Sequence, residues 1–159
     1  MSDRNDIWAP WRMEYIKGAK SSSCVFCEAI TAGNPLVLKK GQGCFAIMNR
    51  FPYTAGHCMV VPDRHVGDLS ELTPEEVSSI MSLVRDLMTA IRATMRPEGF
   101  NVGCNIGKVS GAGIADHFHM HVVPRWNGDT NFMPVISDTR VISEAWRATY
   151  EKLKSALGD

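Results

Sequence analysis

The chain reads as an α+β protein: an antiparallel sheet of about five strands, one long helix and a C-terminal helix. Three observations predict this. Thr73-Pro74-Glu75-Glu76 opens a long amphipathic helix, with apolar residues recurring at helical spacing from Val77 to Met95. Short apolar runs at Cys44–Asn49, His57–Pro62 and Phe100–Ile106 have strand length and are separated by turn-rich segments. Finally, His117-Phe118-His119-Met120-His121-Val122-Val123-Pro124 alternates polar and apolar residues with a period of two, which is a strand period.

Each element has a local reason. Residues 1–23 form an N-terminal arm carrying Trp8, Pro10, Trp11 and Tyr15, followed by Lys17 and Lys20. Two tryptophans there suit packing on the domain or on a second subunit, or an aromatic contribution to a nucleotide site. In the helix over 74–96, Thr73 is the N-cap, Pro74 the first helical residue, and Glu76 closes a capping box. Val77, Ile80, Met81, Val84, Leu87, Met88, Ile91 and Met95 form its core stripe, and Pro97-Glu98-Gly99 stops it. The C-terminal extension, 136–159, contains a helix from Val141 to Leu157 with Ile142, Trp146, Tyr150, Leu153 and Leu157 on one stripe.

A chain of 159 residues suits a single domain over 1–159. Seventeen basic residues balance 17 acidic ones, which points away from nucleic acid and membrane surfaces as partners. No apolar run spans a bilayer and Met1-Ser2-Asp3-Arg4 lacks a signal-peptide pattern. Five cysteines without disulfide-like spacing fit reduced thiols and a cytoplasmic location.

The histidine stretch carries the chemistry. On a strand, His117, His119 and His121 share one face, roughly 6.6 Å apart at about 3.3 Å per residue. That surrounds one small anion. Three readings are open: a half-buried strand with a polar face, a metal site that activates water, and nucleophilic catalysis at phosphorus. A neutral imidazole has one lone pair to use when its other nitrogen donates elsewhere. Just upstream, Gly107-Lys108-Val109-Ser110-Gly111-Ala112-Gly113-Ile114 is a Gly-rich turn whose N–H groups can approach phosphate. Arg125 follows the strand, as a contact to phosphate at the mouth or as an ordinary surface cation.

Cys24-Val25-Phe26-Cys27 is read as a turn that brings two sulfurs together. Redox chemistry lacks a surrounding βαβ pattern; zinc needs two further ligands, for which His65 and His117 are candidates. Cys44, Cys58 and Cys104 are expected to be core thiols. Asn49 lies at a strand end before Arg50-Phe51-Pro52, where it suits a turn.

The alternating histidine stretch resembles the signature of the histidine triad (HIT) family. The resemblance extends to Asn49-Arg50-Phe51-Pro52 with Gly56-His57, to Asn105-Ile106-Gly107, and to two end segments, Ile7–Ile16 and Gly128–Val135. The end segments are similar to the branch containing dinucleoside polyphosphate phosphorylases. The resemblance implies His119 as nucleophile, His57 as its support, Asn49 on the ribose hydroxyls and Asn105 on phosphate. It further implies His121 and the N–H groups of Gly111, Ala112, Gly113 and Ile114 on the phosphoryl oxygens, structural zinc at Cys24, Cys27, His65 and His117, and a homodimer. Hydrolytic members have glutamine four residues before the first triad histidine; here that position is Gly113, or Ala112 if the loop is one residue longer. This departure favours inorganic phosphate over water as acceptor. The expected activity is cleavage of dinucleoside polyphosphates at the α-phosphorus through a nucleotidyl-histidine. Hydrolysis of these or of nucleoside phosphoramidates is the alternative, and a nucleotide-binding sensor with little turnover is the reading from another class.

Overall fold

A computed structural model describes residues 23–129 and 146–158. Residues 1–22 of the N-terminal arm and the Gly128–Val135 segment beyond Asp129 lie outside the described residues, as do 136–145 and 159 of the C-terminal extension. In chain order the elements are α1 (Val25–Thr31), β1 (Val37–Lys40), β2 (Cys44–Met48), β3 (Cys58–Pro62), α2 (Pro74–Met95), β4 (Gly99–Gly103), β5 (Met120–Arg125) and α3 (Trp146–Leu157). The sheet is antiparallel throughout, in the order β1-β2-β3-β5-β4. No helix among the described residues is long and apolar enough to cross a membrane.

Both faces of the sheet are covered. On one, α2 and α3 bury Leu38, Ala46, Val60, Phe118 and Val122 against Ile80, Leu83, Val84, Leu87, Ile91 and Leu153. On the other, α1 lays Phe26 and Ala29 over Phe45, Ile47, Met59 and Val61. This explains why β2 and β3 are buried at every position instead of alternately. The capping box at Thr73 forms as expected: Thr73 Oγ1 accepts from Glu76 N at 3.2 Å, and Thr73 N donates to Glu76 at 2.8 Å.

Several expectations need correction. The Cys-x-x-Cys segment is no simple turn: Cys24 is the N-cap of α1 and Cys27 lies in its first turn. β1 was not among the anticipated strands. The histidine strand begins at Met120, not His117, and runs on to Arg125. Its ladder with β3 stops at Met120 opposite Val60. Upstream of that, Phe118 N donates to Val66 O at 2.6 Å instead of to a neighbouring strand. The third anticipated strand ends at Gly103, short of Ile106. Within the helical stripes, Met81 is 49% and Trp146 47% exposed, whereas Leu83, Ala90 and Thr149 are buried. Cys104 is only partly buried; Cys44 and Cys58 are core thiols, both pushed up by desolvation, Cys58 to about 12.

Candidate active site and metal centre

The alternation of the histidine stretch survives in a modified form. Phe118 and Val122 point into the core beneath α2, with Met120 packed against it, while the histidines take the other side. His117, however, does not join the other two around an anion, because both of its ring nitrogens are engaged elsewhere. Its Nε2–H donates to the carbonyl of Pro62 at 2.9 Å, the end of β3. A carbonyl only accepts, so the lone pair of neutral His117 is on Nδ1. That nitrogen faces Cys24 Sγ at 3.3 Å and Cys27 Sγ at 3.6 Å.

His65 completes this group, with Nδ1 3.4 Å from Cys27 Sγ. The donor atoms of Cys24, Cys27, His65 and His117 all lie within 4.8 Å of one another. A tetrahedral zinc ion with bonds of 2.0–2.3 Å separates its ligand atoms by about 3.5 Å, so the donor set and spacing fit. The chemistry fits too: two thiols and two imidazoles, one imidazole locked with its lone pair inward. Desolvation, with Cys24 adjacent, raises the Cys27 thiol, a bias that a dication reverses. The group is compatible with a structural zinc centre.

His119 and His121 form the second group, with ring centroids 4.9 Å apart. His119 Nδ1–H donates to the carbonyl of His117 at 2.9 Å, which leaves its lone pair on Nε2. His121 has the opposite arrangement, set by His57. The backbone N–H of Tyr53 donates to His57 Nδ1 at 3.0 Å, so the proton of neutral His57 is on Nε2. That proton is given to His121 Nδ1 at 3.0 Å. The remaining nitrogen of His121, Nε2, therefore carries an N–H. Both rings are kept neutral: desolvation lowers His119, and it lowers His121 to about 4, with His119 contributing. Desolvation likewise lowers His117.

His57 is fully buried. It is held by the loop between β2 and β3, where Asn49 N donates to His57 O at 3.0 Å and Thr54 Oγ1 donates to Pro124 O at 2.9 Å. Asn49 makes a local turn: its Oδ1 accepts from Phe51 N at 3.0 Å, and its Nδ2 lies 3.3 Å from His57 Nδ1. Asn105 and the segment from Gly111 to Ile114 lie on the loop from β4 to β5 that leads into His117. Gly107 and Gly111 both take positive φ there, bracketing a 3-10 turn at Lys108–Ser110. Ile114 packs against the cluster under α1. Arg125 stands apart. Its guanidinium is engaged by Asp129, at 2.6 and 2.8 Å, and by Asn101 at 2.8 Å. It is also four residues beyond His121, about 13 Å along the strand. The structure does not bring it to the histidines.

Sequence reasoning missed two contributors. Tyr53 acts through its backbone N–H and stacks on His57 with centroids 4.6 Å apart. Phe26 touches the rings of both His117 and His119. Only the position of Phe26 between the two cysteines offered a signal.

The chain is similar to known proteins in sequence and in fold. A family model for the HIT domain matches residues 34–128. AP-4-A phosphorylase of Mycobacterium tuberculosis is 38% identical over 154 residues, covering 90% of this chain and 79% of that protein. An adenosine 5′-monophosphoramidase of Schizosaccharomyces pombe is 32% identical over 106 residues, covering 66% of this chain and 76% of its own. Among solved structures, a zinc-bound histidine triad family protein from Mycobacterium smegmatis superposes with a TM-score of 0.71 at 30% identity, over 87% of this chain and 95% of that one. The chain belongs to the HIT family. It is an enzyme of that family, carrying the α+β fold shared with its structural neighbours.

Proposed function

We propose that this protein cleaves dinucleoside polyphosphates of the diadenosine tetraphosphate kind at the α-phosphorus, with His119 as nucleophile and inorganic phosphate as the favoured acceptor. The observation that carries the reading is the opposite tautomers of His119 and His121: one offers a lone pair, its neighbour an N–H. A nucleophile beside a donor for the phosphoryl oxygens is what in-line displacement requires. Similarity to a protein named AP-4-A phosphorylase supports the choice of substrate.

In the first step His119 Nε2 attacks the α-phosphorus, and the bond to the bridging oxygen breaks. The electron pair leaves with the nucleoside polyphosphate. The His119 ring becomes cationic, and its Nδ1–H remains on the His117 carbonyl, which stabilises that charge. His121 Nε2–H and the N–H groups from Gly111 to Ile114 steady the phosphoryl oxygens, with Asn105 beside them and Asn49 toward the ribose. In the second step a phosphate oxygen attacks the same phosphorus and the N–P bond breaks, which regenerates neutral His119. Cys24, Cys27, His65 and His117 would hold one zinc ion, which ties α1 to the residues leading into β5 and supplies no step of the reaction. The assembly proposed is a homodimer.

A second reading is hydrolysis of dinucleoside polyphosphates or nucleoside phosphoramidates. The similarity to a monophosphoramidase favours it. Incubation of wild-type and His119→Ala protein with diadenosine tetraphosphate tests the shared chemistry. The wild type turns substrate over, and the variant binds nucleotide without turnover. A His119→Ala protein with wild-type activity overturns both readings.

A further inference from the structure

We propose that Phe26 is a positioning residue for His119, and that the cysteine–histidine cluster fixes Phe26 in place. The proposal rests on the reading of His119 as nucleophile. The phenyl ring of Phe26 lies 5.2 Å from the His119 ring, tilted at 47°, and 5.4 Å from the His117 ring, edge-on at 74°. It is 2% exposed and packs with Ala29, Phe45, Ile47, Met59 and Val61.

The hydrogen bond from Nδ1 to the His117 carbonyl fixes one atom of the His119 ring. Slack in that bond and in the two side-chain torsions still moves Nε2, which lies on the far edge of the ring. An aromatic wall against the ring limits that motion. The wall is carried by α1, a helix of seven residues. A helix this short is not stable alone and takes its position from what it packs against. Cys24 and Cys27 bracket Phe26 in the sequence, and both sulfurs converge on His117 Nδ1, at 3.3 and 3.6 Å. Pinning the two sulfurs therefore pins the phenyl ring between them. His117 takes part twice, its ring in the cluster and its carbonyl on His119. A displacement of about 1 Å at a reacting atom costs on the order of 100-fold in rate, so modest slack in α1 is felt at phosphorus.

The test compares full-length Phe26→Leu and Phe26→Ala with wild type and His119→Ala. The measurements are kcat and KM for diadenosine tetraphosphate, AMP affinity, bound metal, and the ring ¹H–¹⁵N spectrum of His119. The expected result is kcat lower by about tenfold in the Leu variant and about 100-fold in the Ala variant. KM, AMP affinity and metal content stay within about twofold, and the His119 ring signals broaden. Where Phe26→Ala fails to fold, Phe26→Leu carries the test alone. Wild-type kcat in folded Phe26 variants, beside an inactive His119→Ala, overturns the positioning role and leaves the nucleophile standing. A kcat that falls only in proportion to lost metal or lost AMP binding also overturns it. An active His119→Ala removes the nucleophile and this proposal together.

Discussion

His57 and His121 are joined ring to ring, with Nε2 of the first 3.0 Å from Nδ1 of the second, and the bond runs in one direction only. The direction is set by the Tyr53 backbone N–H on the far side of His57. The loop must turn sharply to deliver that N–H, and Gly56 does so at φ 75, where an added Cβ would meet Met95 Sδ at 2.7 Å. A fully buried histidine thus decides which nitrogen of His121 carries the proton.

Removing His57 should uncouple that choice. His57→Ala is expected to lower kcat by about 100-fold with little change in KM, because the affected donor acts on developing charge. His57→Gln, which has an amide N–H to offer His121, should recover part of the loss. Steady-state kinetics together with the ring ¹⁵N shifts of His121 check this. A His57→Ala protein with unchanged kcat and an unchanged His121 tautomer contradicts the relay.

The pH dependence has a defined sign. Desolvation first, then His119, depresses His121 to about 4, against about 6.5 for an unperturbed histidine. Between those values the unfolded chain binds a proton that the folded chain refuses. The stability contribution is therefore complete above about pH 6.5 and declines as pH falls toward about 4. Thermal unfolding across that range should show a falling Tm. The fall should be shallower in His121→Asn, which removes the group. A parallel dependence in the two proteins assigns the effect elsewhere.

Zinc content is a separate prediction. Protein purified without added metal should hold about one zinc per chain. Chelation should lower Tm, since the cluster joins α1 to the segment between β3 and α2 and to the entry of β5. Cys27→Ser should lose the metal. Metal-free protein with the wild-type Tm contradicts a structural role.

How much of this could be read from the residues varies with how local the cause is. The helix over Pro74–Met95 announces itself, because its cap, its proline and its stripe are all encoded within the segment. The structure brings together the four donors Cys24, Cys27, His65 and His117 that residue type and family likeness group. β1 escaped notice because four residues, two of them lysine, show no clear period. α1 escaped because seven residues barely make two turns. The triad stretch misled in one respect. Strand periodicity continues through His117, yet Pro62 has no N–H to extend a ladder, and its carbonyl takes the His117 ring instead. The part played by Tyr53 was not legible at all, since any non-proline residue has the same N–H.

The proposed reaction passes through a nucleotidyl-histidine on His119 that inorganic phosphate resolves. Gly113 is exposed on the loop leading into His117 and follows Gly111 and Ala112, at the position where the resemblance places glutamine in hydrolytic members. The measurement is the product distribution from diadenosine tetraphosphate at millimolar inorganic phosphate. The account predicts ADP and ATP with little AMP, and a shift toward AMP in Gly113→Gln. AMP and ATP in equal yield with and without phosphate would contradict it and make water the acceptor.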